Sequence, residues 1–379
     1  MRYDSHTRNK TMRIARNTCP CLPVAAIGLG LVLTGCKSIG PGQVSGDRFD
    51  YSAAISESWK RQTLLNIVKL RYLDPPIFVD VGQIVSSRTL SSTVSVGGSG
   101  GGTFNSANNL NNFSAALGAA GTYTDQPTVT YTPLTGNKFV RSLMTPLSPE
   151  SVFSMIQSGW PADGVLFAAV SALNGLKNQS ATMQGTSPPA PDFLRALALM
   201  RKIQVTGGVA MRIEQDVQKQ QTAILAFRSP DISPETKADS VELRRLLHLD
   251  PDATEFRLVL GATAASDKEV AVATRSILQL MATMAADVEV PAQDLAEHSA
   301  TPGWESVTGT QEAMRLIEIH SSKTSPPHAF VSVPYNDHWF WIDRRDLKSK
   351  RVLSFMMLLF TLADTGEAPA LPLVTIPAH

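Results

Sequence analysis

Apolar residues recur at three- and four-residue steps from Tyr51 to Leu73, with Ile55, Trp59, Leu65, Val68 and Tyr72 on one stripe, the spacing of a helix with Ser52 or Ser56 as caps. Asp74-Pro75-Pro76 ends it, because proline lacks the N–H and its ring restricts the residue before it. Ile77 to Val85 then reads as a strand. The period next drops to two: Leu90, Val94 and Val96 alternate with Ser and Thr, and Phe113, Ala115, Leu117, Ala119 and Tyr123 alternate with small or polar residues. Between these arms lie the run Gly97 to Gly102, broken only by Ser99, and an Asn-rich run to Asn112. The pattern predicts a long hairpin over about residues 88–123 with a flexible tip. Val129 and Tyr131, alternating with threonines, extend the second arm in this reading.

From Pro149 the pattern mixes helix and strand. Helices are expected over Ser151 to Ser158 and Val165 to Leu176, and, capped by Asp192, to Ile203. Further helices are expected over Ser240 to Leu249, Val270 to Ala286 and Asp346 to about Leu362. Strands are expected at Val209 to Ile213, Thr222 to Phe227, Phe256 to Leu260, Leu316 to Ile319 and Ala329 to Val333. Asn336-Asp337 turns the last of these into His338 to Ile342, and Thr186 to Pro191 reads as a proline-rich linker. The expected class is α+β: an N-terminal helix, a long Gly/Ser/Asn-rich hairpin, and a mixed body ending in a hairpin and a buried C-terminal helix.

Composition changes this picture at one end of the chain. Arg2, Arg8, Lys10, Arg13 and Arg16 stand against one acid, Asp4, and precede the apolar stretch Val24 to Leu33, the order of an export signal. Leu33-Thr34-Gly35-Cys36 comes next and resembles the lipobox of bacterial lipoproteins. The resemblance implies cleavage before Cys36, with diacylglycerol on its sulfur. Met12 opens a more typical leader than Met1 does. Of three cysteines, Cys19 and Cys21 leave with such a leader, so Cys36 would be the sole mature cysteine and no disulfide could form. The class retains lipoproteins in the inner membrane when Asp follows the cysteine. Here Lys37 and Ser38 follow, which implies the outer membrane. The formal charge of +1 becomes −3 after the leader, which gives no electrostatic reason to expect nucleic acid. The expected organisation is a signal peptide over 1–35, a tether over 36–50, helix plus hairpin over 51–148, and the body over 149–379.

Three phrases belong together: Leu64-Leu65-Asn66-Ile67-Val68-Lys69-Leu70-Arg71-Tyr72 with Asp74-Pro75-Pro76; Pro127-Thr128-Val129-Thr130-Tyr131-Thr132-Pro133-Leu134; and Trp339-Phe340-Trp341-Ile342-Asp343 before Asp346-Leu347. They resemble a group of uncharacterised proteobacterial lipoproteins. That likeness implies a compartment and brings no activity.

Candidate chemistry is sparse. Gly97-Gly98-Ser99-Gly100-Gly101 fits the letters of a nucleophile elbow, but that motif needs a strand-to-helix turn and this Ser lies in a glycine run. His328 and His338 flank the terminal hairpin with His320 on an adjoining strand, so a metal or acid–base site would need them to meet across it. His248, His298 and His379 have no ligand spacing. Trp339 and Trp341 could stack a sugar, but such a run more often lies in a strand buried on both faces, and a core role is expected. Asp343 to Arg351 is a charge cluster in which Asp343 or Asp346 suits a helix N-cap; its cations are read as solvated, with acidic headgroups the other reading.

The hairpin stands out because no charged residue occurs between Arg88 and Asp125. A membrane-crossing strand needs about 9–11 residues with alternate apolar positions. The expected function is that of a non-catalytic outer-membrane lipoprotein facing the periplasm, a structural or interaction component without cofactor or metal. It would be bound to the membrane through the lipid on Cys36, with envelope proteins or its own copies as partners. The other reading is a protomer of an oligomeric export pore whose hairpins close a barrel.

Overall fold

The computed structural model describes residues 41–85, 88–100, 113–182, 185–215, 221–227, 233–304 and 315–363. Helix α1 runs Pro41–Arg71, beginning before the Tyr51 start that periodicity predicts. Residues 41–50, expected as tether, are therefore helical. Proline breaks a helix interior but suits the first position, where its missing N–H would have no partner.

Polar residues of α1 fix the strand after it. The Asn66 side chain donates to the Ile77 carbonyl at 2.8 Å and accepts from the Ile77 N–H at 3.0 Å. One turn earlier Gln62 does the same for Val79, at 2.9 and 2.6 Å. Two amides at i and i+4 thus stand in for a neighbouring strand and hold β1 (Phe78–Val85) against the helix. Leu64, Ile67 and Val68 enter the core beside them. Arg71 is fully buried, and a Cβ on Gly303 would collide with its guanidinium, so only glycine fits there. The segment from Leu64 to Tyr72 is thus a structural staple.

The chain divides into two compact units. Arg88–Gln126 belongs to the first, and Ala53–Ser87 with the chain from Pro127 onward forms the second. The first unit contains β2 (Arg88–Gly100) and β3 (Phe113–Asp125), the expected hairpin. In the second, β4 (Thr128–Leu134) pairs antiparallel with β1, Val85 opposite Thr128, instead of extending the hairpin arm. The class is α+β as expected, opening on α1 and closing on a C-terminal helix among the described residues.

After α2 (Asn137–Met144), α3 (Pro149–Gln157) and α4 (Ala162–Ala169) comes a departure. The expected helix to Leu176 ends at Ala169, and β5 (Val170–Leu173) and β6 (Leu176–Lys177) follow. Asn174 at φ 44° and Gly175 at φ 85° make the left-handed two-residue turn between them. A short hairpin, β7 (Ser180–Thr182) and β8 (Gly185–Ser187), occupies part of the expected linker. Helix α5 (Pro191–Val205) starts on Pro191, with no cap from Asp192. Strands β9 (Val209–Gln215) and β10 (Gln221–Phe227) form the expected hairpin, and α6 (Pro234–Leu246) is capped by Ser233, starting before the expected Ser240. Strand β11 (Glu255–Leu260) is as expected.

The expected helix from Val270 to Ala286 is two elements: β12 (Glu269–Thr274) and α7 (Ile277–Ala285). A capping box in which Ser276 and Gln279 each bond the other's backbone starts α7 there. Val270, Ala271 and Val272 are fully buried because β12 is internal to a six-stranded sheet of order β6-β5-β12-β11-β10-β9, parallel to β11 and antiparallel to β5. Helix α3 packs on β9 and β11, α4 on β5, and α5 between α4 and α6.

Helix α8 (Ala292–Ala296) leads to the last sheet. Leu316 and Ile317 are buried outside any strand, Ile319 makes one isolated bridge to Val288, and β13 is His320–Ser322. Strands β14 (Ala329–Tyr335) and β15 (His338–Asp343) form the expected hairpin, turning on Asn336 and Asp337 at φ 44° and 58°. The Asp346 carboxylate accepts the Ser349 N–H at 3.0 Å and caps α9 (Leu347–Ala363), which buries Leu353, Phe355, Met356 and Leu359.

Candidate functional site

In the hairpin, β2 and β3 hold one unbroken antiparallel register from Arg88 opposite Asp125 to Gly100 opposite Phe113, 13 residues in each strand. The pairing places Leu90, Val94 and Val96 opposite Tyr123, Ala119 and Leu117, all at positions of one face. Ser91, Thr93 and Ser95 fall opposite Thr122, Ala120 and Gly118 on the other, where the side chains of Ser91, Thr93, Ser95, Ala120 and Thr122 are exposed. Ser95 donates to the Gly118 carbonyl at 3.3 Å, and a Cβ at Gly118 would lie 2.7 Å from its oxygen. A side chain at 118 would require the Ser95 hydroxyl to turn away and give up this bond. This sheet contains two strands, so the outer edges of β2 and β3 carry no partner strand among the described residues. The letters of the nucleophile elbow lie at its end, with Ser99 inside β2 and Gly101 outside the described residues.

The second feature lies in the other unit, where α4 and α9 enclose a cleft of about 260 Å³. Trp160, Phe167, Val352 and Phe355 line it, and Lys348 and Arg351 stand at its mouth. The buried Arg275 positions α4. Its guanidinium donates to the carbonyls of Phe167 at 2.9 Å and Ala168 at 2.7 Å, and to that of Gln179. The first two are last-turn carbonyls that no intrahelical N–H reaches, and a cation there also matches the negative end of the helix dipole. Burial pushes the Arg275 guanidinium down to about 10, so it stays charged near neutrality. Asp287, which accepts the N–H of Leu316 at 2.9 Å and of Ile317 at 3.3 Å, holds the segment whose Leu316 also lines the cleft.

The aromatic strand corrects an expectation. Phe340 and Ile342 are fully buried, but Trp339 and Trp341 share the opposite face of β15 and are only half-buried. Among the described residues, β15 is thus fully buried on one face and only half-buried on the other. His320 pairs with Trp341 and its ring lies 4.9 Å from the indole, while its Nδ1 is 3.3 Å from Glu289. The histidines do not meet. His338 opposes Tyr335 at the turn, whereas the His328 carbonyl accepts from Arg344 at the far end of the hairpin. Among the described residues no three His, Cys, Asp or Glu side chains gather as metal ligands would, and no helix is long and apolar enough to cross a membrane.

Cys36 lies outside the described residues. The cleft is not legible in the sequence, because α4 and α9 are far apart in the chain and the pattern around Lys348 and Arg351 marks them only as solvated cations. No family model, curated protein or solved structure matches the chain.

Proposed function

We propose that the protein is a lipid-anchored, non-catalytic component of the outer membrane whose hairpins pair edge to edge with those of other copies and close a transmembrane β-barrel. The observation that carries this reading is the unbroken register of two strands of 13 residues that are free of charge beyond the terminal Arg88–Asp125 pair, with hydroxyls and glycine on one face and apolar residues at alternate positions on the other. At about 3.4 Å per residue such strands exceed the tilted crossing that about 9–11 residues provide. An isolated two-stranded ribbon is marginal in water, and its unpaired edges are a template for further pairing. In lipid those edges must be satisfied, which only closure achieves. Weak apolarity at Ser92, Ala115 and Ala119 favours a second reading, a periplasmic arm that docks on another envelope protein.

Cysteines placed singly at Val94 and Ser95 separate the two, since neighbouring strand residues point to opposite faces. A barrel predicts that the detergent-extracted protein is a large ring, with one position labelled by a lipid-soluble thiol reagent and the other by a water-soluble one. Equal labelling of both by the water-soluble reagent, on a protein of monomer size, would leave only the docking arm.

A further inference from the structure

The cleft between α4 and α9 combines an apolar interior with a cationic mouth. Trp160 and Phe167 are half-buried and line it beside the buried Phe355, whereas Lys348 and Arg351, one turn apart on α9, are exposed. The one acid there, Asp163, already has Arg201 of α5 at 3.8 Å, so it does not offset them. The first turn of α4 meets the same cleft through Pro161, Asp163 and Gly164, and its Ala162 N–H is taken by the Gln204 side chain at 2.9 Å.

Gly164 points the same way. Glycine is a poorer helix former than alanine, and it is usually kept for a positive φ or a close contact. Gly164 has neither: its φ is not positive, and an added Cβ would meet nothing within 4 Å. Gly164 lines the cleft, and a side chain added there would meet open space. The volume of about 260 Å³ is close to the lower end, about 300 Å³, of small-molecule sites.

We propose that this cleft binds a single-chain anionic amphiphile, its alkyl chain against Trp160, Phe167 and Phe355 and its carboxylate or phosphate head on Lys348 and Arg351. The test uses the full-length protein in nanodiscs of zwitterionic phospholipid, with empty discs as blank, titrated with monomeric decanoate or decyl phosphate and followed by tryptophan fluorescence and thermal shift. Octyl glucoside supplies a tail without charge, and inorganic phosphate a charge without tail. Saturable binding of the two acids at least tenfold tighter than either control is expected. Lys348→Gln with Arg351→Gln should weaken it at least tenfold. Gly164→Phe should abolish it while leaving the melting temperature unchanged or higher, because the new ring enters open space and removes a helical glycine. Equal affinity for octyl glucoside, no saturable binding of either acid, or undiminished binding to the Gly164→Phe variant would overturn the proposal. So would binding only to anionic vesicles, unaffected by Gly164→Phe, since that would be surface charge without a cleft.

Discussion

Asp287 shows what burial does to a single carboxyl group. It is 3% exposed, and desolvation pushes it up to about 7 although the Ile317 and Leu316 N–H groups, Arg315 and Lys348 all pull the other way. An unfolded aspartate releases its proton near about 3.9, so between there and about 7 the folded state holds a proton that the unfolded state has lost. Stability from this group is therefore full below about 4 and is lost as pH rises through about 7. Asp287→Asn cannot ionise, yet its carbonyl can still accept both N–H groups. The expected outcome is that the variant's melting temperature gains on the parent's from pH 5 to pH 8; a constant difference across that range would contradict the assignment. Nothing in the spacing of Asp287 marks it out, because its environment is made by a segment some thirty residues later in the chain. The two tryptophans of β15 teach a related lesson. Their alternation with Phe340 and Ile342 is visible in the sequence, but which face meets the core is decided by tertiary packing, not by hydrophobicity alone.

Elements were legible where one local signal dominated and illegible where two competed. The β2–β3 hairpin followed from period two with no charges, and β14–β15 from Asn336-Asp337. The apolar runs from Val165 and Val270 satisfied a helical and a buried-strand reading equally, and periodicity alone does not separate these. The deciding signals were short: Asn174-Gly175, whose left-handed turn requires a hairpin, and Ser276 with Gln279, whose capping box starts a helix only there. Register also makes the hairpin removable. Val85 and Thr128 are paired across β1 and β4, so residues 86–127 leave and re-enter at one cross-strand pair. Replacing them with Asn-Gly should give a two-residue turn whose twist suits the flanking strands, and shortening a loop carries little entropic penalty. The shortened protein is expected to fold with a circular dichroism melt within a few degrees of the parent, and to run as a monomer in detergent. Failure to fold would show that the body depends on the hairpin; a retained large ring would remove the barrel from consideration.

For the whole molecule, the two proposed attachments to the envelope, a lipid on Cys36 and pairing through the hairpin, can be tested separately. The first rests on sequence order alone, five cations, the apolar stretch Val24 to Leu33, and Leu33-Thr34-Gly35-Cys36. One acyl chain binds a membrane only marginally, whereas two or more anchor it stably, so the processed cysteine would hold the protein whether or not its hairpin inserts. Because Cys19 and Cys21 precede the proposed cleavage point, no other thiol would be left to take the lipid. Cys36→Ser is therefore expected to abolish incorporation of labelled palmitate and to accumulate precursor of full length. The variant lacking residues 86–127 should still be labelled and should still fractionate with the outer membrane. Normal processing of Cys36→Ser, or label retained on it, would refute the lipobox. Loss of outer-membrane fractionation in the shortened variant despite normal labelling would instead make the hairpin, not the lipid, the attachment that places the protein.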